Sequence, residues 1–492
     1  MATSEKQTLM SRRRFIAVLT TAAGGSILAA CAQPVTPTPI PPKPAAATPA
    51  PAAPKPTASA TVAPSPTSVP TVAPKPQATA TAAAQPAAKK TITFWQEAGT
   101  PTANQGWELL GKGFATAQPN IEVKRVFQTG MSDIIKVALA SDTGPDVFQR
   151  DIPPSYQQPL VDAKLVRAMD DYYKTLPNLQ KVFPWARKRG MIAGKTWGVP
   201  HEVEFIPVFY NKGVFSKLGI TELPTKSYDD FLALCKTIKD KGVQPLGLAG
   251  RARTQPGHIY SLLSMLTVGK EGFEDILYGE GRWDQEGMVE SATRLRQLLD
   301  LGYLPKDVVA QEGAAVQAAF AAGRYAMWTT GTWSLMGFED SRKSNADFDY
   351  DYFLLAPINP KLKPPQVAGG IGGGFSIASR AKDPEACALW IDFLMGQEAQ
   401  RIWNEIFFQV APTPFDPAVA KLPETARKAF GLIAKGEEMG YNISVVIPSN
   451  VVEIYWNGLG GILTGQLTPK EWAGKVQVEW EKAKAEGKVL KP

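Results

Sequence analysis

The strongest constraint on this chain is a break near residue 90. Between Ala32 and Lys90 there is no aromatic residue, and sixteen of the chain's 42 prolines fall there among Ala, Thr and Ser. Such a stretch buries too little apolar surface to offset its ordering entropy, so residues 32–90 are read as an extended Pro/Ala/Thr-rich tether. A flexible chain of that length has an r.m.s. span of about 45 Å, and proline stiffening lengthens it. The charge divides at the same place. Residues 1–90 hold nine Lys or Arg against Glu5 alone, a balance of +8 out of the whole chain's +7, which leaves −1 for the rest. A near-neutral folded part lacks the basic footprint that phosphate binding needs, which argues against nucleic acid as a partner. Three cysteines and two histidines leave little material for a metal site or a disulfide framework, so neither metal nor cofactor is expected.

The first 31 residues read as an export signal. Ser11-Arg12-Arg13-Arg14-Phe15-Ile16 precedes an apolar run, Ile16 to Ala30, too short to span a membrane. The paired arginines before a weakly hydrophobic core resemble a twin-arginine signal, with a general secretory signal as the alternative. Leu28-Ala29-Ala30-Cys31 resembles a bacterial lipobox, in which Cys31 is lipidated; a plain small-residue cleavage site is the alternative reading. Lipid attachment at Cys31 would place the protein on the outer face of the cytoplasmic membrane.

Beyond Lys90 the pattern is strand then helix. Thr91 to Gln96 is β-rich, and Trp107, Leu110 and Phe114 recur at helical spacing before Pro119. Ile121 to Phe127 is strand-like, Ser132 to Ser141 is an apolar-faced helix with Ser or Asp near its start, and Gly144-Pro145-Asp146 leads into Val147-Phe148. This βαβαβ order predicts a mostly parallel sheet covered by helices. Ligands of such sheets sit beyond the carboxyl ends of strands, which singles out Trp95, Gln96, Glu97 and the run Phe148 to Asp151. The loop after the first strand has no G-x-G-x-x-G, which counts against a dinucleotide. Further on, helices are predicted over Tyr228–Lys239, Ile259–Val268, Met288–Leu301 and Val316–Ala322, with strands at Leu246–Ala249 and Tyr325–Thr329. Asp383-Pro384-Glu385 is a helix start with an N-cap, a first-turn proline and an early acid. Roughly four hundred residues exceed one core, so two α/β lobes are expected.

The order of motifs resembles the extracellular solute-binding proteins of ABC importers, specifically the carbohydrate-binding family that includes maltose-binding protein. The resemblance rests on Thr93-Phe94-Trp95-Gln96; Gly144-Pro145-Asp146-Val147; Gly198-Val199-Pro200 leading to Phe209-Tyr210-Asn211-Lys212; Phe320 to Met327 running to Gly331-Thr332-Trp333; and Gly369-Gly370 followed by Phe375 to Ser379. It implies a two-lobed, type II binding-protein fold with a ligand cleft and three crossings between lobes. These crossings are placed near Glu202–Phe205, Ala368–Gly374 and Pro412–Pro417. The lobes would then be 91–203 plus 372–414, and 204–371 plus 415–492.

A sugar offers a C–H face and a hydroxyl edge, so aromatic faces with fixed polar groups complement it. From the resemblance, Trp95 and Trp333 would face the cleft, Asp151 would accept sugar hydroxyls, and Tyr455 or Trp456 would line it. Glu204, seven residues before Asn211, matches a ligand-contact position. Glu202 and Glu204 are two apart and project to one side of an extended strand, with His201, Val203 and Phe205 on the other; His201 is a further candidate. Trp328, Trp390 and Trp403 are expected in the core, and Arg324 on a surface turn. The glycines of 369–374 allow close backbone approach. Since Phe375 to Ser379 reads as a strand, Gly372 and Gly373 suggest a hinge and N–H donors to hydroxyls rather than a phosphate loop. Cys235 and Cys387 lie on apolar faces of helices assigned to different lobes and are expected buried and unpaired.

The function implied is capture of a carbohydrate by hinge closure and delivery to an ABC permease, by a monomeric lipoprotein that is not an enzyme. A glycoside hydrolase using Glu202, Glu204 and Asp151 is one alternative. It lacks support elsewhere, since G-x-S-x-G and H-E-x-x-H are both absent and the only histidines are His201 and His258. A binding protein for polyamine or glycerol phosphate is another.

Overall fold

The computed structural model describes residues 89–489. The export segment, Cys31 and nearly all of the predicted tether lie outside the described residues. The first three strands, β1 (Lys90–Glu97), β2 (Ile121–Gln128) and β3 (Val147–Asp151), alternate with helices Pro101–Ala117 and Met131–Ala140. Thr100 starts the first helix by accepting a hydrogen bond from the Ala103 amide at 3.3 Å, and Pro101 occupies the first turn. Its buried face presents Trp107, Leu110 and Phe114. The second helix departs from its predicted start. Its N-cap is Gly130, at φ +68°, with no side-chain cap. The first amides are met from outside, by the Glu97 carboxylate, which accepts from Gly130 N at 3.1 Å and Met131 N at 3.3 Å.

Ten further strands follow among the described residues. A hairpin joins β4 (Met191–Ile192) to β5 (Lys195–Thr196), and the chain continues through β6 (Val199–Pro200), β7 (Val203–Phe205), β8 (Val208–Asn211) and β9 (Gln244–Gly247). The remainder are β10 (Tyr325–Thr329), β11 (Tyr350–Phe353), β12 (Gly369–Ile371) and β13 (Gly373–Ile377). One sheet has the order β2-β1-β3-β13-β6 and another the order β11-β8-β10-β9. In the first, β1 pairs parallel with β2 and β3, as the βαβαβ pattern predicts, whereas β13 and β6 close the sheet antiparallel. The predicted strand Leu246–Ala249 forms two residues earlier, as β9. Its register against β10 begins at Gln244↔Tyr325, while the Gly250 amide is drawn away to the Val308 carbonyl at 2.9 Å.

Between the two sheets, β7 pairs antiparallel with β12, with Gly370 opposite Glu204. Arg189 ties this ribbon to the later chain. It is 2% exposed, and its guanidinium donates to the carbonyls of Gly369 and Gly440 at 3.4 and 2.6 Å.

Each large sheet has its own apolar core. Phe94, Trp107, Phe375, Trp390 and Trp403 pack on the first. Leu246, Met327, Tyr455, Trp472 and Trp283 pack around the second. Cys235 and Cys387 are buried, free, and divided between these two cores. Trp328 is buried as well, and Arg324 is exposed at the turn before β10.

Candidate functional site

A cavity of about 290 Å³ opens where the elements of both sheets approach the β7–β12 ribbon. Asp151 reaches it from the end of β3, and Tyr156 from the first turn of helix Pro154–Asp162. Glu202 and Glu204 enter from the chain running into and along β7, and Gly372 from the link between β12 and β13. Thr254 and His258 come from the start of helix Thr254–Thr267, Trp333 from the turn after β10, and Asn442 and Val445 from beside helix Ile443–Val446. A hollow of equal volume lies elsewhere, lined by Leu139, Asp146 and Arg380. The Asp146 carboxylate there is already committed, accepting from Thr93 N and Oγ1 at 2.8 Å each and from Lys382 N at 3.2 Å.

The period of a strand explains how two glutamates share one cavity. Glu202 and Glu204 turn one way, while Val203 and Phe205 enter an apolar cluster on the other side. Gln409 Nε2 donates to Glu202 Oε2 at 3.1 Å. The Glu204 carboxylate lies directly against Gly372, where a Cβ would collide with it, so the glycine makes room for the acid. Both glutamates are more than nine-tenths buried. Burial raises their proton affinity above the ordinary carboxylate range; the Asp151 charge adds to this for Glu202, and the charges of Glu202 and Asp151 for Glu204. Asp151 is likewise raised by burial, against the field of neighbouring Arg150. The Tyr156 hydroxyl is pushed up by burial and then by Asp151 and Glu204. His258 goes the other way, pushed down to about 4 by burial, and its Nδ1 has no hydrogen-bond partner. The cavity therefore joins acid groups and a neutral imidazole to the aromatic side chains of Trp333 and Tyr156.

Of the residues predicted for the site, the structure brings Asp151, Glu204, Trp333 and Gly372 together around this cavity, with Glu202 beside them. Seven others lie outside its lining. Trp95 is half-buried against the cluster holding Met131, Ile135 and Phe148. Gln96 is fully buried on β1 with neither amide atom hydrogen-bonded. Glu97 serves the helix start described above. His201 is stacked between Phe375 and Trp403, with ring centroids 4.8 and 4.9 Å away, and pairs through Nε2 with Gln149 at 2.9 Å. Gly373 faces that imidazole. Tyr455 is a core residue whose hydroxyl donates to the Gly257 carbonyl at 3.1 Å, and Trp456, 9% exposed, packs beside Arg253 and Gly257.

Sequence reasoning missed Tyr156, Thr254, His258, Asn442 and Val445. Tyr156 had a usable signal. Pro153-Pro154 after Asp151 sets a helix start, and a first-turn aromatic there returns to the end of its strand. Asn442 had none, since a tertiary contact, the hydrogen bond from its backbone N–H to the Gly369 carbonyl at 2.7 Å, brings it to the ribbon.

A family model described as bacterial extracellular solute-binding protein matches residues 98–401. An uncharacterized ABC transporter extracellular-binding protein of Pyrococcus horikoshii is 23% identical over 393 residues, 77% of this chain and 84% of its own. A maltotriose-binding protein of Pyrococcus abyssi is 23% identical over 277 residues, 55% of each chain. Among solved structures, a chitin oligosaccharide binding protein superposes with TM-score 0.68 at 22% identity, covering 81% of this chain and 99% of that one. A protein described as SBP RafE in complex with raffinose gives TM-score 0.62 at 19% identity, covering 80% and 99%. At these identities the structural likeness establishes the two-lobed α/β fold.

Proposed function

This chain belongs to the bacterial extracellular solute-binding protein family, and from that premise we propose that it captures a carbohydrate in the Trp333–Glu204 cavity and hands it to an ABC permease. The observation that carries the reading is the cavity itself: an indole face from one sheet's side, Asp151 and Gly372 from the other, and buried polar groups between. A sugar ring lays its C–H face on the indole while its hydroxyls meet the acids and Asn442. The relatives named for maltotriose, chitin oligosaccharide and raffinose support a saccharide as ligand.

In this reading the lobes comprise 91–203 with 372–414, and 204–371 with 415–492, and they move about the β7–β12 ribbon. A ligand that touches both lobes favours the closed form by its differential affinity, and release restores the open one. Affinity near micromolar, about −8 kcal/mol, suits capture followed by release. The solute leaves unaltered. Anchorage would come from a lipid on Cys31 in the Leu28-Ala29-Ala30-Cys31 segment.

The test is a thermal-shift screen of mono- and oligosaccharides on the purified full chain, since a ligand selective for the native state raises Tm. A saccharide that raises Tm and is recovered uncleaved supports the proposal. Failure of every saccharide class, or cleavage of the bound glycan, overturns it.

A further inference from the structure

We infer that the preferred ligand is an amino sugar, a saccharide whose ring carries a protonated amine, held by Glu204 and Glu202 over the face of Trp333. The inference rests on the carbohydrate reading and names the chemical class within it.

Three carboxylates, of Asp151, Glu202 and Glu204, line one cavity. Among the described residues, no cationic side chain acts on Glu202 or Glu204; the groups that face them are each other, Asp151, Tyr156, Gln409 and Asn442. Arg150 acts on Asp151 and lies over the Tyr156 ring, 5.8 Å from its centroid, and the Arg189 guanidinium beside Gly370 is spent on backbone carbonyls and Glu438. His258 lines the same cavity with a buried, unpartnered Nδ1, and its burial keeps it neutral, so it supplies no counter-charge. Buried acids without a cationic partner are costly to ionise. A neutral sugar leaves these acids in their protonated form, whereas a bound ammonium favours the ionised form and adds a charge-assisted hydrogen bond.

The cavity also selects the form of the cation. Among the described residues, no group of three His, Cys, Asp or Glu side chains is placed to hold a metal ion. Trp333 adds an aromatic ring to the lining that suits a sugar ring, and an ammonium over an indole is bound more tightly. A linear polyamine has the charge without the ring.

The experiment is calorimetric titration of the full chain at pH 7 with glucosamine, the β-1,4-linked glucosamine trimer, its N-acetylated counterpart, cellotriose and spermidine. The expected result is that an amine-bearing sugar binds at least tenfold tighter than both neutral trimers. Its affinity should fall as salt rises, and Glu204→Gln, checked for fold by circular dichroism, should cut the preference at least fivefold. Should that variant misfold, the wild-type preference and its salt dependence decide alone. A neutral trimer binding as well as the amine-bearing one overturns the inference and leaves the carbohydrate reading standing. Binding of spermidine alone, or of no saccharide, overturns both.

Discussion

The imidazole of His258 meets the indole of Trp333 edge-on, with ring centroids 4.9 Å apart and planes at 63°. Two elements far apart in sequence thus fix one aromatic wall of the cavity, so the indole is oriented before ligand arrives. Truncating that wall should therefore weaken binding and little else. Trp333→Ala is expected to lower affinity at least tenfold for the saccharide found by thermal shift, with an unchanged circular dichroism spectrum. Unchanged affinity in titration calorimetry would remove Trp333 from the site.

Gly331 tests the same wall from behind. A Cβ built there would lie inside the Trp333 ring, so alanine must push the indole from its place. The backbone at Gly331 is extended, φ −89°, and tolerates alanine, which separates this effect from backbone strain. Gly331→Ala should reproduce most of the affinity loss of Trp333→Ala, and the double variant should lose no more than the Trp333 variant alone. Additive losses in the calorimetric cycle would show that the glycine acts elsewhere.

The buried acids make a prediction about pH. Glu204 is held by burial at a higher folded-state pKa than in the unfolded chain, with Glu202 and Asp151 adding to the effect and Asn442 opposing it. A raised pKa means that the native state binds more protons, so this stabilising contribution is present at low pH and is lost as pH rises through the folded value. Glu204→Gln should therefore raise the ligand-free Tm at pH 8 by on the order of 2 °C or more, and by less at pH 4.5. The histidines act in the opposite sense. His201 and His258 are pushed down to about 3 and about 4 by burial, so their contribution is lost as pH falls below the ordinary histidine value. An equal shift of Tm at both pH values would show that the Glu204 carboxylate does not differ between folded and unfolded chain.

Much of this arrangement is legible in the sequence where local chemistry decides it. The β1–helix–β2 opening follows from Thr100, Pro101 and the spacing of Trp107, Leu110 and Phe114, and the alternation of Glu202 with Glu204 follows from strand geometry alone. What local chemistry does not reveal is which neighbour claims a side chain. Trp95 and Glu97 stand at the end of a strand, yet one meets the Met131–Phe148 cluster and the other the bare amides of Gly130 and Met131. His201 falls on the side of the strand opposite the two glutamates, and Phe375 and Trp403, some two hundred positions away, enclose it there. His258 and Asn442 reach the cavity only through tertiary approach.

The thiols provide a check on the two cores. Cys235 and Cys387 are both buried, and burial raises each thiol well above its ordinary range, which suppresses the reactive thiolate. Because they pack in separate cores, neither is the other's disulfide partner. In native buffer a thiol-specific chromogenic reagent should label neither within minutes, and denaturant should release both together. Rapid labelling of one in the native state would show that its core opens locally.

One buried guanidinium ties the β7–β12 ribbon to the later chain, and it offers the most severe substitution. Arg189 donates to the carbonyls of Gly369, Met439 and Gly440 and to the Glu438 carboxylate, and it stacks on the Tyr441 ring with 3.9 Å from Cζ to the ring centroid. No other geometry satisfies three carbonyls and an acid from one buried position, because this needs the planar, branched donor set of arginine. Lysine keeps the charge but offers one nitrogen at the end of a flexible stem, leaving at least one buried carbonyl unsatisfied. Arg189→Lys should therefore destabilise the chain by about 2–3 kcal/mol, and Arg189→Met by about 3–5 kcal/mol, since the latter also leaves Glu438 without this partner. Urea unfolding followed by tryptophan fluorescence measures both. Because Lys270 also contacts Glu438, at 3.3 Å, part of that carboxylate's pairing survives in either variant. A loss under 1 kcal/mol for both would mean that the ribbon is held by its β7–β12 hydrogen bonds alone.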